Sequence, residues 1–359
     1  YWDEGKLTWD DFQDTLSLKG VPSAFNAFLR IEKTEKRDGN TRTIRPEAQA
    51  CFDKRYSFAD RQIQNENLLR LFQLKYDLLE MYRRRLQTEL NLGVVGIAAD
   101  NRTRQYMDLY TEQSKKAEQE TENGQNEIKL QEWEFYVTKE LIENPAPSIP
   151  RISPRRFGYG FYLGTGASFP VGSIADYWDP AWQINVGFDL AYANTHLLCD
   201  FSAGTARTRQ EITVSNGQIT DTWLRNGHNT YTSISLGIGQ QLISTKYFAL
   251  MPYVGCIWSG YSDQAKIQEG RNERTTLSYT NFNWTAGICF DYRFSTTISL
   301  VPSFWRGHRE IFTASIRTKL FINREQYKNF NAIEGNMIRG CKLGFSVACL
   351  GFSRLLQIK

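Results

Sequence analysis

The hydrophobic pattern of this chain changes period near residue 157. Before that point, charged segments carry apolar residues three and four apart. After it, stretch after stretch alternates apolar and polar residues with period two. The clearest stretch sets Trp182, Ile184, Val186, Phe188, Leu190 and Tyr192 against Gln183, Asn185, Gly187, Asp189 and Ala191. A strand points successive side chains to opposite faces. If the polar face looks outward, the pattern describes a soluble β-sandwich or lipocalin-like barrel. If it looks inward, the pattern describes an outer-membrane β-barrel whose apolar face meets lipid.

The same alternation predicts eight strands. Strand one begins at Phe157, with Tyr159, Phe161 and Leu163 against Gly158, Gly160, Gly164 and Gly166. The others cover 182–192, Leu197 to Arg207, 233–239, Tyr247 to Gly260, 281–294, Thr297 to Trp305 and 312–322. Glycine weakens an exposed sheet face but fits the inside of a narrow barrel. Asp189, Asp200 and Asp291 can pair there with Arg293, Arg317 and Lys319, which gives a filled lumen rather than a channel. Strands of about 10 to 13 residues suit a tilted membrane crossing. Connections near Asn194, Thr245 and Thr296 read as tight. Those at 169–180, 210–227 and 261–276 read as long, with a shorter one at Arg306–Glu310. Short periplasmic turns alternating with longer external loops are a barrel signature, and they place the N-terminal region in the periplasm. Residues 324–359 are ambiguous. They read as a tail after an eight-stranded barrel over 157–323, with ten strands as the alternative.

Upstream, Leu69, Phe72, Tyr76, Leu79, Leu86 and Leu90 share one face of a long helix over 66–91. A second helical segment covers 103–144, its Glu and Lys on the exposed side and a break at Asn123-Gly124. A short β-like start precedes both. Residues 144–156 form a proline-rich linker. The fold class expected is therefore an α+β domain over 1–143 followed by an antiparallel transmembrane β-barrel.

Composition adds little that contradicts this. No run of 18 or more apolar residues exists to form a membrane helix. A mean hydropathy of −0.48 is compatible with a barrel, since half of each strand is polar. The aromatic content of 14% suits interfacial girdles, or a β-rich core. A net charge of +4 argues for no nucleic-acid partner. The six cysteines have no metal-ligand spacing; unpaired thiols or one disulfide remain open. A barrel must be exported, so a removed signal segment is expected before Tyr1. Gly158-x-Gly160 and Gly164-x-Gly166 lack a following helix and give no nucleotide loop. Tyr177, Trp178 and Trp223 fall in long loops, where they either bind a partner or glycan or pack against the barrel.

The start Leu7-Thr8-Trp9-Asp10-Asp11-Phe12-Gln13, with Leu68-Leu69-Arg70-Leu71-Phe72-Gln73-Leu74-Lys75-Tyr76-Asp77 and Glu80…Arg84-x-Leu86, resembles a family of bacterial secreted, predicted zinc-dependent proteases of unknown function. That family carries Leu-Leu-x-His-Glu-Gln-x-His-Phe-Asp on this helix. Here Leu71 and Lys75 stand at the two histidine positions and Phe72 at the glutamate position. Asn123 stands where the family has a further histidine. A zincin helix needs two imidazoles four apart and a carboxylate between them. His196, His228 and His308 are the chain's three histidines, and all lie in the barrel region. The resemblance thus implies a degenerate, zincin-like pseudo-protease with no catalytic residue, cofactor or metal. The C-terminal region resembles outer-membrane barrel domains of the Bacteroidota. Together these imply a non-enzymatic accessory subunit of an outer-membrane complex for assembly, secretion or import in a Gram-negative bacterium. Its partners would be other outer-membrane or periplasmic proteins and membrane lipid. The alternative is a surface adhesin or ligand-binding barrel that uses its external loops.

Overall fold

The computed structural model describes residues 2–13, 22–215, 220–264, 276–301 and 309–358. Its N-terminal part is a long hairpin packed on three helices. Strands β1 (Ala27–Asp38) and β2 (Thr41–Phe52) pair antiparallel throughout, turning at Gly39-Asn40 with Gly39 at φ 60°. The β-like start expected from the sequence is thus a full hairpin, whose charged outer half hid its alternation. Helices α1 (Glu66–Leu92), α2 (Ile97–Glu120) and α3 (Glu127–Glu143) follow. The expected break is present as the 121–126 turn, where Asn123 and Gly124 both have positive φ. Asn65 and Asn126 cap α1 and α3, each side chain accepting the backbone N–H of the third helical residue.

The first core lies where the periodic face of α1 meets the hairpin. Leu71, Phe72, Leu78, Leu79, Leu86 and Leu90 bury against Leu29, Ala48 and Ala50. Strand β2 would otherwise expose a backbone edge here, a liability for any sheet. Side chains of α1 cover it instead. Gln87 accepts from the Ala48 N–H at 2.7 Å and donates to the Pro46 carbonyl at 3.3 Å, while the Tyr76 hydroxyl donates to the Ala50 carbonyl at 3.2 Å. Gln87→Leu should leave the buried Ala48 amide unpaired and cost about 1–3 kcal/mol. Hydrogen exchange over 45–50 should accelerate to match.

The second part is a ring of strands. Among the described residues, eight long strands pair antiparallel in sequence order: β3 (Ile152–Gly172), β4 (Ala181–Tyr192), β5 (Thr195–Arg207), β6 (His228–Gln240), β7 (Phe248–Gln264), β8 (Thr276–Ser299), β9 (Glu310–Lys328) and β10 (Met337–Ile358). Strand β10 pairs back onto β3, so the run of pairings returns to its start.

The segmentation differs from the sequence reading in two places. The expected strands at 281–294 and 297–305 are not separate over their described residues. Both belong to β8, and the expected turn near Thr296 is a bulge at Arg293/Ser295. A bulge inserts one residue and flips the alternation, which in sequence looks like a chain reversal. The expected tail is strand β10, and β9 runs on past 323 to Lys328, so the ring extends over 152–358 rather than 157–323. Residues 302–308, and most of the long connection expected at 261–276, lie outside the described residues. Glu310, at the start of β9, lies at the short-connection end, with 193–194 and 241–247. Connections 173–180, 208–227 and 329–336 lie at the other end.

The hairpin is spliced into the ring. Thr41–Ile44 of β2 pairs parallel with Thr296–Ser299 of β8, just past the bulge. The Asn40 amide donates to the carbonyls of Lys246 and Arg293, and the Thr296 and Leu300 amides bond the carbonyls of Asn40 and Ile44. Arg309 adds a bond to the Leu90 carbonyl at the end of α1. The helical domain is therefore fixed at the short-connection end by main-chain bonds.

Candidate functional site

The ring is apolar outside and polar inside. Trp182, Ile184, Phe188, Ile234, Ile238, Val254, Trp258 and Phe282 each expose more than half of their surface. Gln183, Asn185, Asp189, Asp200, Arg317, Lys319 and Lys342 are buried. Aromatic side chains gather at both margins of the apolar face: Phe169, Trp182, Trp258 and Phe282 toward the long connections, and Phe157, Tyr192, Phe248 and Tyr292 toward the short ones. Six cysteines stand free, with Cys199 and Cys349 on the outer face.

Three charged layers fill the interior. In the first, Arg317 binds Asp291 through Nε at 2.7 Å and Nη2 at 2.8 Å, and Nη2 also reaches Asp189 at 2.8 Å; His196 Nδ1 lies 2.6 Å from the same Asp189. In the second, Lys319 holds both oxygens of Asp200 at 2.7 and 2.8 Å, and the Tyr162 hydroxyl donates to that carboxylate as well. In the third, Lys342 Nζ lies 2.9 Å from Glu325 and sits over the rings of Tyr231 and Tyr261 at 3.5 and 4.2 Å. Above this layer, Trp178 stacks on Tyr261 at 4.3 Å, and Phe330 and Tyr327 complete an aromatic plug.

Of the six inward charges expected from the sequence, five are brought together in the first two layers. Arg293 is not; it bonds Ser244 and the Thr245 carbonyl at the short-connection end. The third layer escapes the sequence reading because Glu325 and Lys342 lie in the supposed weak strand and tail. Tyr162 escapes it because that residue sits among glycines. Its ring fills the space those glycines leave: a Cβ on Gly187 would run into it. Trp178 and Trp223 are buried, so both pack rather than project.

The helical domain places the four positions singled out by the resemblance as follows. Leu71 and Phe72 lie in the core. Lys75 pairs with Glu118 of α2 and lies over the Phe25 ring at 4.9 Å. The Asn123 backbone N–H donates to the backbone carbonyl of the same Glu118 at 2.8 Å. The Lys75–Glu118 pair ties α1 to α2, whereas the Asn123 bond is a main-chain bond at the end of α2 that does not involve its side chain. Among the described residues, no group of three or more potential ligands could hold a metal.

The rest of the frame is structural. The Trp2 indole and Gln73 amide both donate to Asp77 at 2.8 Å; burial pushes that carboxyl above its usual range, and the two hydrogen bonds oppose the shift. Glu80 is bound by Arg83 and Arg84, and Arg84 donates to the carbonyls of Leu141 and Asn144 at the end of α3. A cavity of about 390 Å³ lies between β2, α1 and residues 146–149. Its arginines 45, 83 and 84 are already paired with Glu47 and Glu80.

Helix α3 carries a feature the sequence reading did not contain. Ile128, Phe135 and Ile142 are 71%, 73% and 74% exposed and stand seven residues apart, so they form one stripe. Glu127, Lys129, Glu132, Lys139 and Glu143 are exposed as expected, and the apolar seam runs among them.

No family model matches the sequence, and no curated protein matches it. Solved structures similar to the ring are outer-membrane β-barrel proteins. The Ail attachment invasion locus protein of Yersinia pestis, in complex with the heparin analogue sucrose octasulfate, is 11% identical with a TM-score of 0.29; the match covers 55% of this chain and 99% of that one. The N-terminal β-barrel domain of Pseudomonas aeruginosa OprF is 9% identical, TM-score 0.23, covering 55% and 99%. A major outer membrane protein from Thermus thermophilus is 11% identical, TM-score 0.24, covering 55% and 98%.

Proposed function

We propose that the chain is a non-enzymatic accessory subunit of an outer-membrane protein complex. Its ring is a filled transmembrane barrel that serves as anchor, and its helical domain is a periplasmic docking module. Support for the anchor comes from the apolar outer face. Trp182 and Tyr192 are ten residues apart on β4, about 33 Å along a strand. Tilted by about 40°, that is an apolar band ~25 Å tall between aromatic margins. Support for a filled interior comes from the three layers of paired charges among the described residues.

The observation that carries the docking role is the stripe Ile128–Phe135–Ile142. Exposed apolar surface at heptad spacing fits a groove or helix on a partner. A lipid surface is the competing occupant, but interfacial helices put Lys and Arg beside the apolar face. Here five glutamates face two lysines, 129 and 139, which favours a protein. Phe135→Glu should abolish co-purification of the partner from native membranes while the barrel still inserts. Undiminished partner recovery would move the contact elsewhere.

The same reading holds the domain to be without metal chemistry, because Leu71 and Phe72 build the core and Lys75 is a cation. Elemental analysis of the purified chain should find no stoichiometric zinc; one zinc per chain would reverse this reading.

A further inference from the structure

The first charged layer opens onto a cavity of about 290 Å³ at the short-connection end of the ring. Arg293, Arg317, Arg354 and His196 line it, with Asp291 as the carboxylate. Arg317 is 1% exposed, and its Nη1 has no hydrogen-bond partner, although Nε and Nη2 are fully engaged by Asp291 and Asp189. His196 Nε2 is likewise buried and unpartnered. Buried polar atoms are ordinarily satisfied, and a guanidinium donates five N–H groups and accepts none. Among the described residues, neither Arg293 nor Arg354 forms an ion pair. Asp189 and Asp291 carry two negative charges against the three guanidinia of Arg293, Arg317 and Arg354, so one positive charge is left over in a partly enclosed, weakly screened space. The wall also carries apolar Met251, Ile311, Leu350 and Phe352, which sit beside polar Asn194, Gln241, Ser244, Thr313 and Ser315.

We propose that this vestibule binds a small phosphate-bearing anion with a short apolar stem, the phosphate taking the free Arg317 Nη1 and the Arg293 and Arg354 guanidinia. Arginine forks suit phosphate oxygens, and a cavity with room for roughly ten waters at ~30 Å³ each admits a stem of a few carbons but not a whole lipid. The ligand enters from the side on which the helical domain is fixed.

The test is equilibrium binding of inorganic phosphate and of butyl phosphate to the folded full chain in an uncharged detergent. One saturable site is expected, with butyl phosphate bound about tenfold more tightly because its stem leaves water. Arg293→Gln with Arg354→Gln should weaken both by tenfold or more. Arg339→Gln, at the opposite end of the ring, should change neither. Equal affinity for the two probes overturns the apolar stem and leaves free phosphate as the ligand. Absence of a saturable site, or unchanged binding in the double variant, overturns the site and leaves water as the partner of Arg317. If the double variant does not fold, competition in the wild type decides: inorganic phosphate must displace butyl phosphate one for one, and failure to do so overturns the proposal.

Discussion

Leu236→Arg should nearly abolish recovery of folded protein from the membrane. Leu236 lies midway along β6, faces outward between Ile234 and Ile238, and stands opposite Cys199 and Cys256 on the neighbouring strands. On this account it sits near the middle of the apolar band, where a cation costs about 2–4 kcal/mol. A soluble sandwich would accept the same substitution as an ordinary surface change. The adjacent Gly237 faces inward against Tyr253, and Gly187 faces inward against Tyr162. Arginine at Gly187 should also fail, for a different reason. It has no room, and overpacking of a filled interior costs about 1–3 kcal/mol or more. Heat-modifiable migration on gels reads both effects. Normal folding of both variants would mean that the two faces have been assigned the wrong way round.

The second large effect belongs to Arg317. Arg317→Met leaves Asp189 and Asp291 buried with no cation between them, and breaking a buried pair in this way costs about 3–5 kcal/mol. Combining it with Asp189→Asn and Asp291→Asn should restore most of the loss, because the desolvated charges are then gone. Denaturant unfolding of the single and triple variants separates the two cases. A triple variant no more stable than the single one would show that Arg317 acts through packing on Tyr162, 5.2 Å from its guanidinium, rather than through charge.

Much of the ring was legible because period two persists through most of its strands, and because inward Asp189, Asp200, Asp291, Arg317 and Lys319 have no use on a lipid face. Legibility failed where the period breaks. The bulge at Arg293/Ser295 reverses the alternation and reads as a turn. The stretch 325–338 mixes the end of β9, a connection and the start of β10, so Glu325 and Lys342 looked unrelated although they pair across adjacent strands. The splice of Thr41–Ile44 onto β8 has no local signal, since parallel pairing joins segments about 250 residues apart. In the helical domain, the frame residues Asp77, Glu80 and Arg84 are legible as a pattern. Their work is to tie α1 to Trp2 and to the end of α3. The seam on α3 was hidden because its three apolar residues are separated by glutamates and lysines, which suggested a solvated face.

The most direct test of the account is photocrosslinking in intact cells, with a photoreactive residue placed at Phe135 and, separately, at Ile333 in the 329–336 connection, which is 59% exposed at the other end of the ring. A discrete protein adduct is expected from position 135 and none from position 333. Protein adducts from position 333 alone, with only lipid or nothing captured at 135, would contradict it and leave the chain as a surface-binding barrel.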